Sequence, residues 1–312
     1  MRTRAMVTAA ATAVLLATAA ACGSAPNQNP GADDRPAAAD INGQIDQTSV
    51  VDGGPVGQNL PSTPMLDKIR QKGELSFAGS RNTVGFSQLD PASGKLTGFD
   101  AGIAQLLAKY LLGKPDAKLQ SGGSDTREAL LGNHTIDVAI QTYTITPDRA
   151  KLVNFAGPYY LAASGIIVKS SDSTIKQVSD LAGKKVATES GAAKDALLDA
   201  APTAQPVLFD TAAECAAAVE QGRAEAMTLN TASLLGLVAT KTDIKLLDNT
   251  FGSNPFGIGL PKDDPKFKDV VNQFLQAIYS DGTWTKLWQS TVGKLVKTPA
   301  PQPPKIGSVP GS

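Results

Sequence analysis

From Met65 to Val292 the chain alternates short apolar runs with stretches in which apolar residues return every third or fourth position. That alternation predicts strands and helices in turn. A first helix is expected from Pro64 to Lys72, capped by Thr63 and stopped by Gly73, followed by a strand from Glu74 to Ala78. Ile103, Leu106, Leu107, Tyr110 and Leu111 fall at helical spacing, with Gly113 and Pro115 ending that helix. Asp125 with Glu128 reads as a capping box for a short helix, and Ile136 to Ile140 as a buried strand. After Tyr160 a second series begins. Strands are expected from Gly165 to Val168 and from Lys185 to Thr188, then a helix from about Ala192. Thr211 with Glu214 forms a second capping box, for a helix stopped by Gly222; a strand from Glu225 to Leu229 and a helix around Leu234, Leu235 and Val238 come next. Phe267, Val270, Val271, Phe274, Leu275 and Ile278 mark a long amphipathic helix ending at Asp281-Gly282. Repeated βα units predict an α/β fold with mostly parallel sheets.

The ends of the chain carry a different pattern. Arg2 and Arg4 precede a threonine-broken apolar run from Ala5 to Ala21, the layout of a secretory signal peptide over 1–21. Small residues directly before Cys22 look like a bacterial lipobox, although Ala19 stands where leucine is usual. Cys22 is therefore expected to carry lipid, with ordinary cleavage and free secretion as the alternative. Residues 22–64 are crowded with Gly, Pro, Asn, Gln, Ala and Asp and lack apolar periodicity, which predicts a flexible tether. Residues 294–312, rich in proline, are expected to be an extended tail.

Charge and cysteine content narrow the function classes. Lys and Arg number 29, Asp and Glu 29, with no basic stripe, which argues against nucleic acid. The two cysteines make no disulfide framework if Cys22 is lipidated, and Cys215, among alanines in a helix, is expected to be a buried, inert thiol. The sole histidine, His134, has no cysteine or histidine companion, so neither a metal site nor a cofactor is expected.

The stretch from Thr142 to Arg149 carries the most chemistry. Alternation would put Thr142 and Thr144 on one face of an extended segment. Thr146 is a natural N-cap and Pro147 a natural first helical residue, so Arg149 would project from a helix start toward those hydroxyls. A guanidinium holds a carboxylate through two parallel hydrogen bonds, which makes this a cradle for the acid end of a small molecule. A capped helix with a surface arginine is the competing reading.

Several landmarks in order carry a family resemblance. Gly73-Glu74-Leu75 precedes Gly94-Lys95-Leu96-Thr97-Gly98-Phe99-Asp100, Ile136-Asp137-Val138-Ala139-Ile140 and Thr144-Ile145-Thr146-Pro147-Asp148-Arg149. Then come Val153-Asn154-Phe155-Ala156-Gly157-Pro158-Tyr159-Tyr160, Asp180-Leu181-Ala182-Gly183-Lys184-Lys185-Val186 and Asp281-Gly282-Thr283-Trp284. The chain resembles the extracellular solute-binding proteins, family 3, of polar amino-acid ABC transporters, and looks closest to actinobacterial lipoproteins. The resemblance implies a two-lobed, type II periplasmic-binding-protein-like fold with the ligand between the lobes. Lobe one would be 65–160 plus 258–293 and lobe two 161–257, with hinge crossings near Tyr159-Leu161 and Pro255-Gly257.

The resemblance also implies roles. Arg149 matches the ligand-carboxylate arginine, Thr144 a donor beside it, and Thr142 an acceptor for the ligand ammonium. Backbone N–H groups of Ala192 and Ala193 would complete the carboxylate site. Asn230 aligns with an aspartate that usually pairs with the ammonium, and Glu189 can substitute for it. Thr83 and Ser124 stand where relatives place sandwiching aromatics, while Arg81, in the loop after Ser80, can pair with a side-chain carboxylate. Glutamate, aspartate or their amides are the expected ligands, a cationic ligand drawn by Glu189 the second choice. The expected protein is a monomeric, non-enzymatic lipoprotein on the outer face of the cell membrane, delivering a small amino acid to permease subunits. The alternatives are a ligand-sensing lipoprotein for a membrane signalling partner, and a dehydratase-type enzyme using Glu189 and Glu225.

Overall fold

The computed structural model describes residues 44–91, 93–296 and 299–312. The expected signal peptide, Cys22 and the tether as far as residue 43 lie outside the described residues. A helix α1 (Thr48–Asp52) already stands in the stretch expected to be tether. Ile45, Gln47 and Val51 are buried. The Gln47 amide donates to the Leu96 carbonyl and to Gln105, and its oxygen accepts from the Gly98 N–H. The expected tether is thus corrected at its C-terminal end. Its composition hid this, because a few apolar side chains and one satisfied amide make the attachment within a Gly- and Pro-rich stretch.

The first helix is as the caps predict: α2 (Pro64–Lys72) has Thr63 accepting from the Leu66 N–H and Gly73 ending it at φ 71°. Then follow β1 (Leu75–Gly79), a small antiparallel sheet of β2 (Asn82–Thr83), β3 (Ser87–Leu89) and β4 (Leu96–Thr97), α3 (Phe99–Leu112), and β5 (Ala117–Ser121). Next come α4 (Arg127–Gly132), β6 (Val138–Ala139) and α5 (Pro147–Leu152). The strand expected from Glu74 lies one residue later, and the one expected over 136–140 is regular only at its centre. β7 (Asn154–Lys169) runs out of this first lobe into a second, built from β8 (Lys185–Thr188), α6 (Ala192–Ala200), β9 (Gln205–Leu208) and α7 (Ala212–Glu220). It continues through β10 (Ala226–Asn230), α8 (Thr231–Thr240) and β11 (Ile244–Leu246). β12 (Phe251–Leu260) returns, and α9 (Pro265–Ser280) and α10 (Thr283–Ser290) finish the first lobe.

Nine described strands share one sheet, in the order β5-β1-β6-β12-β7-β10-β8-β9, with β11 on β7. Pairing is parallel on either flank, β5-β1-β6 and β10-β8-β9, as βα repetition predicts. The middle is antiparallel, because β7 and β12 travel between the lobes in opposite directions, with Leu161 opposite Pro255 and Tyr160 opposite Phe256. Two neighbouring strands are the only bridge such a sheet needs, and they make a narrow hinge. The first lobe's core gathers Phe77, Phe86, Phe99, Phe274 and Trp284; two smaller clusters fill the second lobe around Met227 and Leu234 and around Val186 and Leu197.

Thr211 and Glu214 form their reciprocal capping box at the start of α7. Asp125 and Glu128 do not. Thr126 is the N-cap of α4 and makes no side-chain cap. Glu128 instead accepts from the Tyr143 hydroxyl at 2.6 Å and lies 3.5 Å from Arg149 Nε. A guanidinium and a phenol outcompete one backbone N–H for a carboxylate. Residues 299–312 of the tail form no helix or strand but lie against the body: Ile306 packs on the first lobe's core, Val309 on the cluster containing Tyr143, and the Gly307 N–H donates to the Gly157 carbonyl.

Candidate functional site: the cleft between the lobes

Parallel strands expose their carboxyl ends to loops, and open α/β sheets bind ligands there. Here those loops face one another across the hinge. Ser80 follows β1, Ser124 follows β5, Gln141 to Thr144 follow β6, Glu189 to Ala193 follow β8, Asp210 follows β9, and Asn230 ends β10. Together they line a cavity of about 570 Å³. Arg149, Thr144, Thr142, Ala192, Ala193, Asn230, Glu189, Arg81 and Ser80 all contribute to its wall.

Arg149 is positioned by local capping. Thr146 accepts from the Arg149 N–H at the start of α5, and Arg149 Nη1 donates to the Thr144 carbonyl at 2.9 Å. The guanidinium crosses toward the second lobe: a methyl built on Gly191 would stand 3.7 Å from Nη2. Gly191, at φ 72°, turns the chain into α6 without a side-chain cap, so the first N–H groups of that helix are left for the cleft.

Thr142 departs from the expected extended geometry. Its φ is 41°, in the left-handed region, where a β-branched residue costs about 1–3 kcal/mol. Thr144, by contrast, bridges to Phe256 as a strand residue would. The cause at Thr142 is distant in sequence: its N–H donates to Asp100 Oδ2 at 2.7 Å. Alternation therefore fails here, and the two threonines reach the cleft by different backbone routes.

Asn230 has a structural task beside its place in the wall. Its Oδ1 accepts from the Ser233 N–H and caps α8. Glu189 lies mostly out of solvent, and burial raises its carboxyl above the usual range, while Arg127 and a hydrogen bond from Ser124 pull it back and Asp210 pushes it up. Glu225 lies at the opposite end of β10 from the cleft, paired with Lys184 at 3.0 Å, so an acid–base pair with Glu189 does not form.

Arg127 was not singled out by the sequence. It sits at the start of α4, is 4% exposed and lines the cavity. Nη1 donates to the Gln141 carbonyl, Nε has no hydrogen-bond partner, and no salt bridge to Arg127 occurs among the described residues. Its guanidinium lies 3.8 Å from the Tyr143 ring centroid and that of Arg149 lies 5.1 Å from it. Burial first, and then the Arg149 charge, lowers the Arg127 pKa to about 10. The only clue in sequence was position, a basic residue shortly after a strand end. Among the described residues no group of His, Cys, Asp or Glu is arranged to hold a metal.

Two lobes on a two-strand hinge, with guanidinium groups on one wall and carboxyl groups on the other, define a solute-binding cleft. The chain belongs to the bacterial extracellular solute-binding proteins, family 3, whose model matches residues 75–294. It is 34% identical to a glutamine-binding protein of Geobacillus stearothermophilus, over 72% of this chain and 87% of that one. It is 26% identical to the glutamate-binding protein GluB of Corynebacterium efficiens, over 72% and 80%. Among solved structures, an ancestral amino acid-binding protein, AncCDT-1, described as a precursor of cyclohexadienyl dehydratase, superposes with a TM-score of 0.65 at 31% identity, covering 72% of this chain and 98% of that one.

Proposed function

We propose that this protein captures an acidic amino acid, L-glutamate or L-aspartate, in the interlobe cleft and presents it to the permease of an ABC transporter. The observation that carries the choice is Arg127, a buried guanidinium on the cavity wall beside Arg149 with its Nε–H unmatched and no salt bridge among the described residues, Glu189 and Glu128 acting on it only from beyond ion-pair distance. A second buried cation next to the one that takes the α-carboxylate calls for a second anion, and a side-chain carboxylate supplies it where an amide does not. The α-carboxylate goes to Arg149, Thr144 and the N–H groups of Ala192 and Ala193. Glu189, with Asp210 behind it, takes the ammonium together with Thr142. Asn230 is left to its cap, and Arg81 and Ser80 border the side-chain end.

The lobes are taken to close about Tyr159-Leu161 and Pro255-Gly257, with Cys22 holding the protein to the outer face of the membrane by lipid and no turnover of the ligand. Relatives named for glutamine and for glutamate make the amide the sharp control. Titration calorimetry with L-glutamate, L-aspartate, L-glutamine, L-asparagine and L-arginine tests the reading. The acids should bind at least tenfold more tightly than their amides; tighter binding of L-glutamine than of L-glutamate overturns it.

A further inference from the structure

We propose that Asp100 is a positioning residue: its ionised carboxylate locks the Thr142 peptide to the hinge strand and so holds the cleft floor in the conformation that receives ligand. The proposal rests on the ligand reading above and adds to it a residue that does not touch the ligand. Asp100 lies in the first turn of α3, where the helix dipole favours an anion. The approach is close: a side chain on Gly98, at the N-cap, would meet the Phe86 backbone at 2.4 Å. The carboxylate is 1% exposed and each oxygen has one task. Oδ1 accepts from the Tyr159 hydroxyl at 2.7 Å, and Oδ2 accepts from the Thr142 N–H at 2.7 Å.

Both partners sit where movement matters. Tyr159 is fully buried on β7 at the crossing, and its carbonyl takes the Trp284 indole N–H at 2.9 Å. Thr142 is the cleft residue at φ 41°, a conformation its own side chain disfavours and that the bond to Oδ2 retains. The charged and titratable groups around Asp100 are Tyr159 and Tyr160 on β7 and Arg127 on α4. All partners present donors to it, so the ionised form fits; a neutral acid keeps an acceptor for one partner and loses charge assistance to both.

Burial raises the Asp100 carboxyl from 3.8 to about 6, opposed by Tyr159, Thr142 and Arg127. The folded value lies above the unfolded one, so the native state holds more protons between those limits. Keeping Asp100 ionised therefore removes stability as pH rises from 3.8 to about 6. A group retained at a stability penalty and tied to a ligand-facing peptide has the marks of function.

The test compares the natural chain with Asp100→Asn, which imitates the neutral acid at every pH. Binding of L-glutamate and L-aspartate is measured by calorimetry from pH 5 to 8, and because both proteins keep Glu189, the difference between their profiles isolates Asp100. The natural chain should weaken roughly five- to tenfold as pH falls through about 6, whereas Asp100→Asn should bind at the weaker level throughout. Its melting temperature at pH 7.5 should equal or exceed that of the natural chain, which a purely structural role would not allow. Ligand-free tryptophan emission, reporting on Trp284 beside Tyr159 and on Trp288 beside Tyr160, should titrate near pH 6 in the natural chain and stay flat in the variant. Parallel pH profiles for the two proteins, or a flat emission curve in both, overturn the proposal. If neither acid binds, the ligand reading fails by itself, and the emission titration still decides the role of Asp100.

Discussion

The proposed closure depends on a glycine. Gly236 lies in the middle of α8 on the second lobe, where alanine would be better by about 1 kcal/mol of helix propensity. A methyl at that position would stand 2.6 Å from Val84 Cβ, 3.2 Å from its Cγ2 and 3.3 Å from its backbone nitrogen, all on the first lobe. Carbon atoms pack at about 3.5–4.0 Å, so the lobes would have to part by roughly 1 Å at this point. Overpacking of this kind costs about 1–2 kcal/mol for a single methyl. That energy falls on the closed state alone, since in an open molecule the two residues separate. Gly236→Ala should therefore weaken amino-acid binding about five- to thirtyfold, at 1.4 kcal/mol per tenfold. Its melting temperature without ligand should hold or rise, because the helix gains. Calorimetric binding beside a thermal melt reads both quantities, and Val84→Gly in the same chain should return most of the affinity. If Gly236→Ala binds as the natural chain does, the lobes do not close onto this contact and the reasoning is refuted.

Other substitutions probe the remaining contacts. Arg149→Ala should reduce amino-acid affinity at least about thirtyfold by calorimetry, because truncating one member of a buried, hydrogen-bonded charge pair costs about 2–5 kcal/mol; unchanged affinity would falsify the carboxylate assignment. Arg127→Gln should leave L-glutamine binding within a few-fold while weakening L-glutamate by tenfold or more, which a competition assay between the two measures. Gln47→Ala removes bonds to Leu96, Gln105 and the buried Gly98 N–H and should lower stability by about 2 kcal/mol in urea melts. No change there would return residues 44–63 to the tether.

Local chemistry was legible in the sequence, and chemistry made by distant partners was not. Thr63, Thr146 and the Thr211–Glu214 pair announce helix starts because the cap and the N–H it satisfies lie within three residues. The site residues taken from the resemblance converge on one cavity, at loops that follow the carboxyl ends of the parallel strands. Asp125 and Glu128 had the spacing of a capping box, but Glu128 was claimed by Tyr143 and Arg149, which no local pattern reveals. Thr142 was read as extended because alternation assumes a backbone left to itself; the Asp100 carboxylate, 42 residues away, holds it elsewhere. No local pattern singles out Arg127. Its meaning lies in its burial, and burial is a tertiary fact.

The separation of charge between the walls bears on why the cleft should close only when occupied. Arg127 and Arg149 come from the first lobe, Glu189 and Asp210 from the second. In an open molecule water solvates each group. Closing an empty cleft strips that water from both walls, and the desolvation of a buried ion is offset only where a partner with good geometry takes its place. Arg127, with Nε unmatched, and Glu189, raised by burial despite Arg127 and Ser124, show that the protein's own groups do not supply full compensation. A zwitterion with one additional carboxylate does: it offers two anions to the arginine wall and one cation to the carboxyl wall. In the proposed pose its contacts span both lobes, so its affinity is greater for the closed form than for the open one, and that difference would shift the population. An uncharged solute of the same size would leave both walls unmatched and gain little from closure. Selectivity and closure are on this account the same free energy, drawn from charged groups that the fold leaves incompletely matched.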